Sequence, residues 1–112
     1  MSEIEAESDN ITTLEQGIWA LLNRAQILAD AVQSNQGPEL LAPLAMRLRS
    51  LFDTTVSLGK PVRETLPTGM LLAIHQANEY LEEAIRLIKR GEKREQVAIQ
   101  TQALVDTLKG LI

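Results

Sequence analysis

His75, Glu79 and the pair Glu82 and Glu83 form the one row in this sequence where an imidazole and carboxylates share a helical spacing. Residues four apart sit on neighbouring turns of a helix, so the row has the form of a metal half-site. A di-metal site in a helical bundle needs Glu-x-x-His on two helices, with further inward carboxylates. Here residue 72 is Leu, and there is no second histidine. The row also flanks the Ile74–Leu81–Ile88 stripe on its water side, and Arg86 continues it four residues after Glu82, at ion-pair spacing. The expectation is a solvated, salt-bridged helix face with no metal ligand and no cofactor.

Other chemistries lack their parts. Ser50 and Ser57 lie in no Gly-x-Ser-x-Gly turn, and no glycine-rich phosphate loop or dinucleotide fingerprint occurs. The chain has no cysteine, so disulfides, thiolate nucleophiles and cysteine-ligated metals are excluded. No catalytic residue is assigned.

Two fragments, "LLNRAQILADAV" and "KPVRE", faintly resemble the all-helical chorismate mutases. That resemblance implies Arg24, Arg63 and Glu64 around a dicarboxylate substrate. The chain departs from the pattern: no arginine precedes Arg24, no cation lies between it and Leu44, and Arg63 follows too far along. A histidine phosphotransfer domain is also an acidic four-helix bundle, with its histidine in His-x-x-Lys-Gly. His75 is followed by Gln76, Ala77, Asn78 and Glu79, without that lysine and glycine. Neither family is assigned.

Arg86, Lys89, Arg90, Lys93 and Arg94 put five cations within nine residues, interrupted by Glu92. They could form a basic patch for nucleic acid or an acidic partner. They also stand where cations complement the dipole at a helix end, and no aromatic accompanies them. With a net charge of -4, the chain as a whole does not attract nucleic acid or anionic lipid.

The elements that carry these residues are read from apolar spacing. Apolar residues make up 45% of 112 positions, enough for one packed domain. Trp19, Phe52 and Tyr80 are the only aromatic residues, so the core must be aliphatic, which suits helix packing better than a sheet. Residues 1–10, with Glu3, Glu5, Glu7 and Asp9, read as an acidic mobile tail, and residues 11–112 as a single helical-bundle domain.

The first helix is expected from about Thr12 to Ser34, with Thr12 and Glu15 at capping-box spacing. Gly37 is expected to end it in the left-handed conformation, with Pro38 blocking continuation. The second helix carries Leu41, Leu44, Leu48, Leu51, Thr55 and Leu58. Because proline is tolerated freely only in a first turn, Pro43 implies a start near Ala42 or a kink. The stretch from Gly59 to Gly69 is the one long connection. The third helix runs from about Thr68 to Arg90 and stops at Gly91; the fourth buries Val97, Thr101, Leu104, Val105, Leu108 and Leu111. The fold class is all-α, a four-helix up-down-up-down bundle. If the chain ran helical through Gly91, an intertwined or dimeric arrangement would replace it.

Several apolar residues fall off these stripes. Ile27 and Ile99 are expected to point outward, Leu72 and Leu87 lie beside the third stripe, Tyr80 shares the flank of Leu87, and Trp19 edges the first. Together they mark a second contact surface. Asn78 borders the third stripe.

The functional expectation is a small non-catalytic protein–protein interaction module, adaptor-, chaperone- or regulator-like, that forms a homo-oligomer or binds another protein. The alternative is a nucleic-acid-associated regulator using the Arg86–Arg94 hairpin, and the third reading is a small helical enzyme. No apolar run approaches a membrane span and the N-terminus lacks the pattern of a signal peptide, so no membrane partner and a cytoplasmic location are expected.

Overall fold

Thr13, one residue later than the expected cap, starts the first helix. Its hydroxyl accepts the Gln16 backbone N–H at 3.2 Å. The Gln16 side-chain oxygen in turn accepts the backbone N–H of Thr13 at 3.3 Å and of Thr12 at 2.9 Å. Three otherwise unpaired donors are thereby satisfied, which is the function of a capping box. Helix α1 then spans Leu14–Gln33.

The computed structural model describes residues 11–91 and 93–111, with Arg63 described by its backbone alone. The acidic tail expected over residues 1–10 lies outside the described residues, as do Glu92 and Ile112.

Asn35, rather than Gly37, takes the left-handed conformation after α1, with φ of 65°. Asparagine visits that region more readily than most residues because its short side chain can hydrogen-bond locally. Gly37 is extended and caps α2, which spans Pro38–Gly59 with proline in its first turn. Pro43 therefore lies inside the helix, and α2 starts before it. Pro43 is exposed in the second turn, so its ring displaces no core packing there.

The expected long connection is itself partly helical: Lys60–Thr65 form a 3-10 segment, closed by the Thr65 hydroxyl donating to the Val62 carbonyl at 2.8 Å. Helix α3 spans Thr68–Arg90. Gly91 ends it at φ 69°, ψ 30°, its N–H donating to the Ile88 and Leu87 carbonyls, with Lys89 and Arg90 in the last turn. Helix α4 spans Arg94–Lys109.

The described chain is all-helical. Helix α1 packs on α2 and α4, and α3 packs on α2 and α4, contacts that suit a four-helix bundle. Leu21 and Leu28 of α1, Leu48 and Phe52 of α2, Ile74 and Leu81 of α3, and Leu104 and Leu108 of α4 are fully buried together. Each such side chain contributes about 1.5–3 kcal/mol of transfer free energy. Two hydroxyls enter this aliphatic core without cost in unpaired donors: Thr55 donates to the Leu51 carbonyl at 2.8 Å and Thr101 to that of Ala98 at 3.2 Å. No helix of the described residues is long and apolar enough to cross a membrane.

Candidate functional site

The charges of α1 and α4 stand at their ends. Between Glu15 and Asp30, α1 carries only Arg24, which is 8% exposed. Between Glu95 and Asp106, α4 carries none. Helices α2 and α3 differ, with Arg47, Arg49 and Asp53 on one and Glu79, Glu82 and Arg86 on the other. The exterior of the neighbouring pair α1 and α4 is thus an uncharged face on an otherwise charged surface. Depletion of charge at the centre is the compositional mark of a protein interface.

Helical spacing gives each helix of the pair one matching row. On α1 it runs Glu15, Trp19, Leu22, Gln26, Asp30; on α4 it runs Glu95, Ile99, Gln102, Asp106. Both rows begin and end on an acid; between the acids α1 holds two apolar residues and a carboxamide, and α4 holds one of each. Gln26 Nε2 donates to Asp30 Oδ1 at 3.0 Å, and Gln102 Nε2 donates to Asp106 Oδ1 at 2.9 Å. Trp19 is 47% exposed and Ile99 is 65% exposed. At the start of α1, Trp19 joins Leu14, Ile18, Val62, Met70 and Leu111 around an apolar groove of about 470 Å³.

The expected surface residues divide. Trp19 and Ile99 lie on this face. Tyr80 and Leu72 are exposed on α3, Leu72 at 62%. Ile27 is half-buried rather than turned fully outward. Leu87 is a correction: it is buried and belongs to the core. Helix α3 packs against two neighbours, so its buried arc is wider than the Ile74–Leu81–Ile88 stripe.

The His75 row is exposed at His75 and Glu79. Its ion pairing differs from the expected Glu82–Arg86 contact. Glu82 Oε1 instead meets Arg49 Nη2 of α2 at 2.7 Å, and Arg86 Nη1 meets Glu83 Oε2 at 2.9 Å. Glu82 leans toward α2, within reach of a cation that no reading of α3 alone contains. Among the described residues, no three His, Asp or Glu side chains gather closely enough to hold a metal ion. Asn78 is half-buried.

Arg86, Lys89, Arg90, Lys93 and Arg94 are all exposed around the α3–α4 turn. Arg24, nominated through the chorismate mutase resemblance, is buried in α1, whereas Glu64 is exposed in the 3-10 segment. The side chain of Arg63 lies outside the described residues.

Sequence reasoning singled out Trp19 and Ile99, which are exposed, and did not single out the amides Gln26 and Gln102. Their signal was a charge gap in two segments far apart in the chain, which becomes one surface only when α1 and α4 pair. The chain matches no protein-family model, no curated protein and no solved structure.

Proposed function

We propose that this chain is a small non-catalytic protein–protein interaction module on an up-down-up-down four-helix bundle. The carrying observation is the uncharged α1–α4 face, with Ile99 exposed on α4, Trp19 exposed near the start of α1, and acids at the ends of both rows. Aromatic and aliphatic anchors in a charge-depleted setting favour a protein partner over phosphate-rich nucleic acid, which would need cations there.

The alternating topology is supported by which residues meet. A β-carbon at Gly59, the end of α2, would stand 3.6 Å from Leu14 Cδ1 at the start of α1 and 3.4 Å from Leu71 Cδ2 near the start of α3. Met70 of α3 and Leu111 beyond α4 line the same groove. Each neighbouring pair therefore joins the start of one helix to the end of the next. The absence of cysteine suits work in a reducing compartment such as the cytoplasm.

A photo-crosslinking residue at position 99, compared with one at exposed Asp53 on α2, tests the reading in cells. The expected result is discrete protein adducts from position 99 and none from position 53. Adducts from neither, or from position 53 alone, would overturn it. Nucleic-acid binding that weakens steeply with salt and with Lys93→Gln and Arg94→Gln would replace it with the basic-hairpin reading.

A further inference from the structure

We infer that the α1–α4 face binds a second copy of this chain, in a two-fold dimer with α4 near the axis. The inference rests on the interaction-module reading and names the partner.

Three features favour a second copy. A two-fold contact sets each residue near the axis against its own copy. A charge there repels itself, whereas isoleucine packs on isoleucine and a carboxamide both donates to and accepts from another. The middle of this face has Ile99 and Gln102 on α4 and Gln26 on α1, and Trp19 stands uncharged toward the end where α1 begins. The amides are also pre-set. Gln26 and Gln102 each hold an Nε2 proton on the aspartate one turn along, which fixes the side chain and leaves its oxygen as an acceptor. Ordering them on association therefore costs less than ordering free glutamines.

The size fits. Helix α4 has 16 residues, so it presents a face about 24 Å long at 1.5 Å per residue, and two adjacent helices are about 20 Å across. That is about 500 Å² per copy in flat projection, or about 1,000 Å² for the pair, which reaches the lower bound for a specific interface. It places the dimer among weak, concentration-dependent contacts.

The rim gives a signature. Glu15, Asp30, Glu95 and Asp106 stand along the rim and outnumber the cations Arg94 and Lys109 at the ends of α4, and each chain has a net charge of -4. Two such faces repel at their edges, so screening should strengthen self-pairing, whereas it would weaken binding of a cationic partner.

Sedimentation velocity of the full chain from about 1 µM to about 100 µM should show a monomer–dimer equilibrium. Raising salt from about 0.05 M to about 0.5 M should tighten it. Ile99→Glu should weaken it by tenfold or more while leaving the circular dichroism spectrum unchanged. The native chain has no cysteine, so single substitutions report cleanly: Ile99→Cys should form disulfide-linked dimers at least about tenfold faster than Asp53→Cys, as buried proximity raises effective concentration. A monomer throughout the range, or equal cross-linking from both positions, overturns the dimer. A monomer that still yields adducts to other proteins from position 99 overturns self-pairing alone. A monomer without adducts overturns the interaction module as well.

Discussion

Gly17 of α1 and Thr55 of α2 meet so closely that a β-carbon on Gly17 would stand 2.6 Å from the Thr55 hydroxyl oxygen and 3.0 Å from its methyl group. Both residues are buried, and the threonine hydroxyl is tied to the Leu51 carbonyl. The glycine is what lets the two helices approach at this level.

Gly17→Ala should therefore destabilise the chain by about 1–3 kcal/mol, although alanine is worth about 1 kcal/mol more than glycine in a helix interior. Thr55→Ala alone should also destabilise, through the small cavity it leaves. Combined, the two changes should cost clearly less than their sum, because alanine at 55 removes the two closest atoms and leaves only its Cβ, at 3.2 Å from the new methyl. Urea unfolding of all four proteins closes the cycle. Strict additivity would mean that the close approach is not what makes glycine necessary.

Gly91 poses a different constraint. Nothing lies within 4 Å of where its β-carbon would be, so only its positive φ penalises a side chain. Gly91→Ala should cost about 1 kcal/mol, and Gly91→Asn less, since asparagine tolerates the left-handed region. Lys93→Gln with Arg94→Gln, both exposed in the wild type, should change thermal stability by less than about 0.5 kcal/mol. A higher melting temperature for Gly91→Ala would indicate that α3 and α4 join into one helix in solution.

Pro43 lies five residues into α2 and is exposed. Pro43→Ala restores an intrahelical hydrogen bond and removes a ring that crowds the preceding turn. The expected gain is about 1 kcal/mol or more, smaller than the full helix-interior penalty because proline also restricts the unfolded chain. Denaturant midpoints compare the two proteins directly. Loss of stability would show that the ring itself contributes packing.

Strong local punctuation made the third helix legible. Pro67 before it and Gly91 after it gave its bounds, Thr68 and Arg90, without reference to any other element. For the first helix, the sequence reading takes Thr12 with Glu15 as the capping pair; Thr13 with Gln16 has the same spacing, and the hydrogen bonds choose it. Pro43 leaves the start of the second helix open, because a proline five residues in resembles a start signal as much as a tolerated interruption. Leu87, Gly17 and the Arg49–Glu82 pair depend on neighbouring helices, so no single segment contained them. The same holds for the α1–α4 face. Its apolar members could be found one at a time, but its lack of charge is a property of two distant segments read together.

Trp19 is the only tryptophan, and about half of it meets solvent in the folded chain. Its fluorescence should therefore emit to the blue of an unfolded indole, and melting the bundle should move the peak to the red. Covering Trp19 should instead shift its emission to the blue. This places the single tryptophan where encounter with a partner and unfolding move its emission in opposite directions, so the untagged, unlabelled protein can be titrated optically against its own concentration.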